Sequence, residues 1–181
     1  MLKWLGSFIL KAYGWHWKAV PALPIKKGVL IGAPHTSNWD FVFAMAALKS
    51  MGQPVVYLAK KELFKFPLGL LMRFFGGVPV DRSRRSSMVE AMADKIAETE
   101  EILVLIPPEG TRSAVVEWKS GFYYTAHLAG VPIYPAYLDY AKKEAGIGPA
   151  YYPTGNYEQD IKEIRAFYAA ITPRHPEKFK G

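Results

Sequence analysis

A histidine and an aspartate five positions apart are the first residues of this sequence whose types and spacing suit chemistry. They are His35 and Asp40, in the segment PHTSNWD. If His35 precedes a helix whose first turn holds Asp40, the carboxylate can accept a hydrogen bond from one imidazole nitrogen. The other nitrogen can then take a proton from an alcohol, so no serine nucleophile is required. The alternative is that Ser37 and Asp40 only form a capping box and His35 only ends a strand.

The segment PPEGTRS, residues 107–113, has the composition of an anion-binding turn. A glycine in a turn lets backbone amides converge on an anion, and Arg112 adds a planar fork that suits phosphate. Glu109 could orient that arginine. The alternative is an ordinary turn after a strand, with Glu109 and Arg112 as a surface ion pair.

A third polar cluster follows a short apolar run in GGVPVDRS, residues 76–83. Arg82 comes directly after the run, and Arg84 and Arg85 lie just beyond it. Taken alone, such a basic cluster is typical of a solvated turn.

Strand patterns and helix patterns alternate along the chain and must position these segments. Short apolar runs predict strands at residues 28–33, 54–59, 78–80, 102–106 and 132–138. Helical periodicity predicts helices at residues 39–50, 63–75, 87–99, 122–129 and 157–170. A chain of 181 residues suits one domain. We therefore predict a single α/β domain with a mostly parallel or mixed sheet flanked by helices, and with functional loops at strand ends.

The N-terminal segment, residues 1–27, predicts an amphipathic helix followed by a linker, with the domain proper at residues 28–181. It carries five lysines and no acid, and it holds three of the five tryptophans. This composition favours a helix lying in the headgroup region of an anionic membrane, although its wide apolar face could instead pack on the core. Its lysines interrupt the apolar residues and argue against an export signal, and no stretch is long enough to span a bilayer.

The overall composition narrows the partners. The formal net charge of +7 favours an anionic partner, but no recognised nucleic-acid-binding motif is present, so we expect no nucleic acid. The chain has no cysteine, which excludes a thiolate nucleophile and cysteine-based metal sites. The remaining histidines show no metal-ligand spacing, so we expect no metal.

The three polar segments, taken together and in their order along the chain, resemble the glycerophospholipid acyltransferase family. This family includes the lysophosphatidate (1-acylglycerol-3-phosphate) acyltransferases. Residues 35–40 match its H-x-x-x-x-D block, and residues 77–82 match a glycine and hydrophobic run ending in Asp-Arg. Residues 109–112 match E-G-T-R letter for letter, and residues 131–135 resemble a strand with V-P-I and a further proline. Residues 59–67 resemble its K-x-E-L stretch. The resemblance covers residues 28–140, and four ordered blocks are a specific signal.

The resemblance implies that His35 is the general base and Asp40 its orienting partner. It implies that the phosphorylated acceptor is bound by a set of six residues: Lys60, Arg82, Glu109, Gly110, Thr111 and Arg112. Lys61 could serve in place of Lys60. The implied reaction, a step of phospholipid biosynthesis, transfers a fatty acyl group to a lysophospholipid hydroxyl, with 1-acyl-sn-glycerol-3-phosphate as the first expectation. The donor is acyl-CoA or acyl carrier protein, with no further cofactor, and the expected location is peripheral, on the cytoplasmic face of a membrane.

Three alternatives remain open at this stage. The acceptor could be a lyso-aminolipid, glycerol 3-phosphate or a glycolipid, the chain could bind lipid at a membrane surface without catalysis, or water could replace the alcohol in a thioesterase. The apolar stretch at residues 63–75 could add to a membrane-facing surface, line an acyl-chain tunnel, or form a core helix.

Overall fold

The computed structural model describes residues 2–80 and 85–180. The strands are β1 (His16–Ala19), β2 (Lys27–Gly32), β3 (Val55–Lys60), β4 (Gly77–Val80), β5 (Ile102–Ile106), β6 (Ile133–Asp139) and β7 (Glu144–Ile147). The helices are α1 (Leu2–Ala12), α2 (Asn38–Ser50), α3 (Leu68–Phe74), α4 (Arg85–Glu98), α5 (Gly121–Ala129) and α6 (Tyr157–Tyr168).

These strands form one mixed sheet in the order β1-β7-β6-β2-β5-β3-β4. The pairs are parallel except for β6 and β7, which are antiparallel. The prediction of an α/β domain with a mostly parallel or mixed sheet is therefore confirmed. The strands β2, β5 and β6 lie side by side near the middle, so the loops after them reach the same edge of the sheet.

Helices cover both faces of the sheet, and alternate strand residues supply the two cores. On β2, Val29 and Ile31 point to the face covered by α4, α5 and α6, which we call the α5 face. Leu30 points to the face covered by α1, α2 and α3, which we call the α2 face. The period-2 alternation of side chains thus lets one apolar run serve two cores.

The N-terminal helix is shorter than the twenty-residue apolar pattern predicts, because Gly14 ends it. Gly14 has φ of +72°, a conformation that favours glycine, and the amide of Trp15 donates to the carbonyl of Leu10 at 2.8 Å. The chain then forms β1, which pairs with β7 at the sheet edge. Neither of these four-residue strands was predicted. The helix packs on the core through Leu10, which is buried, whereas Trp4 and Phe8 are exposed, and contact of this helix with a membrane stays a prediction.

The apolar stretch at residues 63–75 is divided into a 3₁₀ turn (Lys61–Phe64) and the short helix α3, with Pro67 between them. Most of the large apolar side chains on α3 are exposed. In the described part of the chain, no helix has both the length and the apolar character needed to cross a membrane.

Candidate active site

The loop between β2 and α2 holds the predicted dyad, and a capping box fixes its shape. Ser37 is the N-cap of α2, and its hydroxyl accepts from the amide of Trp39 at 3.2 Å. The Asp40 carboxylate accepts from the Ser37 amide at 2.8 Å, which completes the box. The capping box that was the alternative to a catalytic role is therefore present, and it brings the carboxylate back towards the loop.

The same carboxylate oxygen faces His35. Asp40 Oδ2 lies 3.3 Å from His35 Nδ1 and also accepts from the Thr36 amide at 2.7 Å. The Asp40 side chain is only 6% exposed, whereas that of His35 is 21% exposed and lines a cavity. With Nδ1 directed to Asp40, the second ring nitrogen of His35, Nε2, is the one left to exchange a proton with a ligand.

The environment keeps Asp40 ionised. Burial by itself raises the pKa of this carboxyl, but the combined interactions with His35, Tyr140, Ser37 and Thr36 outweigh it and hold the pKa below its usual value. A carboxylate that stays negative near neutral pH can stabilise an imidazolium without taking its proton.

Glu109 enters the site from the neighbouring strand. Ile31 of β2 pairs with Ile106 of β5, so the loops after the two strands meet. One oxygen of Glu109 accepts from the His35 amide at 2.7 Å, and the side chain is buried. Desolvation raises its pKa to about 7, with the charge of Asp40 adding to the rise and the contacts with His35 opposing it. Glu109 therefore holds the backbone of the dyad loop through the His35 amide. Its contact with the acceptor stays a prediction.

The turn that follows Glu109 contributes to the same cavity. Gly110 has φ of +66°, and its amide donates to the carbonyl of Pro107 at 3.2 Å. A glycine suits this left-handed position because it has no Cβ to clash. Thr111 and Arg112 are exposed and line the cavity together with His35. The structure thus brings the H-x-x-x-x-D segment and the E-G-T-R segment to one opening.

The cavity has a volume of about 650 Å³ and extends between α2 and the sheet. Its walls are mostly apolar, and many of the side chains in them are small: Gly32, Ala44, Ala47, Ala59, Ala136, Ala145 and Gly146. Small residues on facing walls leave the space open, whereas larger ones would fill it. The size lies within the range of about 300–1,000 Å³ that is common for ligand pockets.

Two further residues predicted to bind the acceptor are Lys60 and Arg82. Lys60 is the last residue of β3. Arg82 lies outside the described residues, as do Arg84 and the last two residues of the second sequence block. Their contacts with an acceptor stay predictions.

Two features of the site were not predicted from the sequence. Tyr140 donates its hydroxyl hydrogen bond to Asp40 Oδ1 at 2.7 Å from a position one hundred residues away. The alanines of α2 could have been recognised as a cavity wall only once the facing strands were known. The amides of His35, Thr36 and Ser37 are already engaged with carboxylates, so these three are not free to stabilise an oxyanion.

The sequence matches the Acyltransferase family over residues 18–139. Lysophosphatidylcholine acyltransferase 1 of Danio rerio is 32% identical over 156 residues, covering 76% of this chain and 28% of that protein. Human 1-acyl-sn-glycerol-3-phosphate acyltransferase beta is 36% identical over 112 residues, covering 59% and 39%. The 1-acyl-sn-glycerol-3-phosphate acyltransferase of Escherichia coli K12 is 32% identical over 109 residues, covering 57% and 43%. The chain therefore spans less than half the length of each of these relatives.

The fold also has a solved counterpart. The crystal structure of the 1-acyl-sn-glycerophosphate (LPA) acyltransferase from Thermotoga maritima superposes with a TM-score of 0.60 at 17% identity, covering 95% of this chain and 80% of that one. At this identity the likeness concerns the fold alone. Since the family match extends over residues 18–139, more than half of the chain, and confirms the resemblance carried by the four sequence blocks, this chain belongs to the Acyltransferase family.

Proposed function

We propose that this chain transfers a fatty acyl group from acyl-CoA or acyl carrier protein to the hydroxyl of a lysophospholipid, with 1-acyl-sn-glycerol-3-phosphate as the leading acceptor. One observation carries the proposal: the His35–Asp40 dyad and the Gly110–Arg112 turn line the same apolar-walled cavity. The relatives named for 1-acyl-sn-glycerol-3-phosphate and lysophosphatidylcholine support this acceptor class.

The dyad supplies the proton chemistry of the proposed reaction. His35 Nε2 takes the proton of the acceptor hydroxyl as that oxygen attacks the thioester carbonyl, and Asp40 stabilises the imidazolium. When the tetrahedral intermediate collapses, the C–S bond breaks and the imidazolium returns the proton to the departing thiolate. The products are the acylated lipid and the free thiol of the donor, so no proton is gained or lost.

Arg112 is the described cation at the cavity opening that best suits the acceptor phosphate. It lines the cavity with His35, and guanidinium groups bind phosphate through two parallel hydrogen bonds. A phosphate held there keeps the acceptor hydroxyl within the same cavity as the dyad. Positioning of this kind reduces the entropy lost on reaching the transition state.

The apolar part of the cavity suits the acyl chain. Ala44 and Ala47 of α2 face Leu105 and Leu138 of the sheet across the space. The hydroxyls of the lining residues Tyr57 and Tyr137 are already hydrogen-bonded, so a chain with its thioester at His35 and its tail among the apolar residues would bury apolar surface without burying an unpaired polar group there.

A membrane surface is the proposed source of the acceptor. Leu63 and Met72, from the 3₁₀ turn and α3, line the cavity, whereas Phe66, Leu70 and Phe74 are exposed on the outside of the same segment. One segment thus separates the cavity from an exposed apolar surface. Basic residues next to such a surface favour anionic lipids, and Lys65 and Arg73 occupy that position in sequence.

The decisive experiment is product analysis by mass spectrometry. Purified protein is given oleoyl-CoA or oleoyl acyl carrier protein and, in separate reactions, 1-acyl-sn-glycerol-3-phosphate, lysophosphatidylcholine or glycerol 3-phosphate. We expect diacylated lipid from at least the first acceptor, and none from His35→Ala. His127→Ala is the matched control, because His127 is exposed on α5, on the other face of the sheet.

Each outcome assigns the function differently. Transfer only to an acceptor other than 1-acyl-sn-glycerol-3-phosphate would keep the mechanism and change the substrate. Free oleate as the sole product would replace the proposal with a thioesterase. Intact substrates with both donors, in folded protein supplied with lipid vesicles, would leave lipid binding without catalysis.

A further inference from the structure

The two oxygens of the Asp40 carboxylate have different partners. Oδ2 receives the amides of Thr36 and Ser37, at 2.7 and 2.8 Å, and faces His35 Nδ1 at 3.3 Å. Oδ1 receives the hydroxyl of Tyr140 at 2.7 Å. The amides hold one oxygen and the hydroxyl holds the other, so both sets of contacts together set the rotation of the carboxylate about its Cβ–Cγ bond.

Tyr140 is held in place by contacts that do not involve Asp40. It directly follows β6, and its amide donates to the carbonyl of Thr172 at 2.8 Å. Its ring packs edge-on against Trp15 with centroids 4.9 Å apart, and the guanidinium of Arg174 lies 5.8 Å from the ring centroid. The hydroxyl direction is thus set by the surrounding packing before the carboxylate is considered.

The segment that follows α6 strengthens this arrangement. The amide of His175 donates to the Thr36 hydroxyl at 3.3 Å, and Arg174 also lies over the ring of Trp39 at 5.7 Å. The residues around position 174 therefore contact both Tyr140 and the dyad loop. They connect two parts of the chain whose relative position fixes the geometry of Asp40.

The Tyr140 hydroxyl also stays a donor. Burial raises the pKa of Tyr140, the hydrogen bond to the Asp40 carboxylate raises it further, and together they outweigh the opposing effect of Arg174. A protonated phenol can only donate to a carboxylate, so the hydrogen bond has one direction throughout the neutral range.

We propose that Tyr140 is a positioning residue that fixes the rotation of the Asp40 carboxylate and thereby keeps His35 in the tautomer protonated on Nδ1. In that tautomer Nε2 has a free lone pair for the acceptor hydroxyl. Tyr140 lies just outside residues 18–139, the part matched by the family, and outside the four sequence blocks. The inference rests on the proposed function for its effect on turnover, but its effect on the tautomer stands independently.

The test replaces Tyr140 by phenylalanine, which keeps the ring between Trp15 and Arg174 and removes only the hydroxyl. We expect kcat to fall about tenfold, the effect of losing one hydrogen bond to a charged group. KM for donor and acceptor should stay within about twofold, because Tyr140 does not line the cavity. Tyr123→Phe is the matched control, since its hydroxyl donates to the Asp160 carboxylate at the same 2.7 Å, away from the dyad.

A double variant shows whether Tyr140 acts through Asp40. In an Asp40→Asn background, Tyr140→Phe should cause no further loss of kcat, because the orientation that it controls has already been removed. A full additional tenfold loss would mean that the hydroxyl acts elsewhere and would overturn the proposal. Wild-type kcat in the single variant would overturn it as well.

Nitrogen-15 NMR of histidine-labelled protein provides the readout that needs no turnover. At mildly alkaline pH the wild-type His35 ring should show one protonated nitrogen, Nδ1, and Tyr140→Phe should show a mixture of the two tautomers. His35→Ala identifies the signal. If the wild-type protein acylates no acceptor, the proposed function fails while the spectra still decide the role of Tyr140. Identical His35 spectra in wild type and variant would overturn the positioning role.

Discussion

The two faces of the sheet are built from the same kinds of element but are packed differently. On the α5 face, large side chains such as Phe122, Tyr123 and Tyr168 have no exposed surface, and they belong to one continuous core. On the α2 face, alanines and glycines line a cavity of about 650 Å³, and several large apolar side chains of α1 and α3 point outward. Dense packing stabilises the fold on one face, and open space on the other is available for a ligand.

The contrast extends to two aspartates in similar surroundings. Asp40 and Asp160 each lie in the first turn of a helix, each accepts a tyrosine hydroxyl at 2.7 Å, and each has a pKa below its usual value although burial opposes the shift. Asp40 faces a histidine that lines the cavity, whereas Asp160 accepts from the Thr154 amide and holds the loop before α6. The catalytic role proposed for Asp40 alone therefore depends on its neighbour and not on the carboxylate itself.

The largest expected effect separates these two carboxylates. Asp40→Asn should lower kcat/KM about 10³-fold, because the histidine loses the charge that fixes its tautomer and stabilises its protonated form. Asp160→Asn should leave kcat/KM within about twofold and lower the free energy of unfolding by about 1–2 kcal/mol. Steady-state kinetics and urea denaturation of both variants measure the two quantities. Equal losses of activity would show that the dyad has no special role.

The next effect compares two buried alanines on opposite faces. Ala47 lines the cavity from α2, and Ala126 of α5 is fully buried in the dense core. Ala126→Leu should destabilise the fold by about 1–3 kcal/mol, because extra methylene groups must displace packed neighbours. Ala47→Leu should cause little or no loss of stability, since the added atoms enter open space.

Ala47→Leu should instead change the substrate range. A leucine that fills part of the cavity leaves a shorter apolar slot, so the preferred acyl-CoA should become shorter. Turnover with a series of donors from eight to eighteen carbons, as is usual for such tests, measures this preference. An unchanged chain-length profile would mean that the acyl chain does not enter the space beside Ala47.

A smaller effect concerns pH and Glu109. Its pKa of about 7 in the folded chain exceeds the unfolded value, so between pH 4.5 and 7 the folded chain holds the extra proton and stability falls as the pH rises through that window. Glu109→Gln cannot ionise but keeps an oxygen for the His35 amide. The wild type should lose up to about 2 kcal/mol more than the variant across the window.

Glu144 provides the control for this pH effect. Its burial raises the pKa, but hydrogen bonds from Lys18 and Tyr137 outweigh it and hold the pKa below its usual value. Glu144 therefore contributes stability that is lost at acidic pH, below the window of Glu109. Urea denaturation at several pH values should show that Glu144→Gln retains the Glu109 slope. A slope that persists in Glu109→Gln would assign it to another group.

The parts of the fold that local patterns control were predictable from the sequence. The apolar runs of β2 and β5 and the capping residues of α2 act over a few positions, so their strands and helix were predicted within one or two residues. The strands β1 and β7, the last two at one end of the sheet, have four residues each and carry no local signal that distinguishes them from a linker. They form because β7 pairs with β6 and β1 pairs with β7 in the folded sheet.

The candidate site was predictable where it follows the chain and unpredictable where it depends on the tertiary fold. His35 and Asp40 are five residues apart, so the loop before α2 and the capping box in its first turn bring them together. Glu109 reaches the His35 amide only because β2 and β5 are parallel neighbours, and Tyr140 reaches Asp40 from the end of β6. The cavity is the space that small side chains leave open between α2 and the sheet, so no single segment of the sequence predicts it.

The smallest expected effect compares two exposed leucines on opposite faces. Leu70 lies on α3 and is 66% exposed, and Leu128 lies on α5 and is 59% exposed. Leu70→Glu should weaken binding to vesicles of phosphatidylglycerol and phosphatidylcholine about tenfold. The substitution removes apolar area that the bilayer would bury, and it adds a charge that anionic lipid repels. Leu128→Glu adds the same charge to the α5 face, on the other side of the sheet from the cavity at His35, and should change binding by less than about twofold.

Vesicle co-sedimentation at constant ionic strength measures both variants, and circular dichroism checks that each remains folded. The comparison depends on position alone, since the two substitutions make the same change in net charge. If Leu128→Glu weakens binding as much as Leu70→Glu, the attraction comes from net charge and α3 has no special role. If only Leu70→Glu weakens it, the apolar surface beside the cavity is the one that meets the lipid, and an acyl chain has a short path from the bilayer to His35.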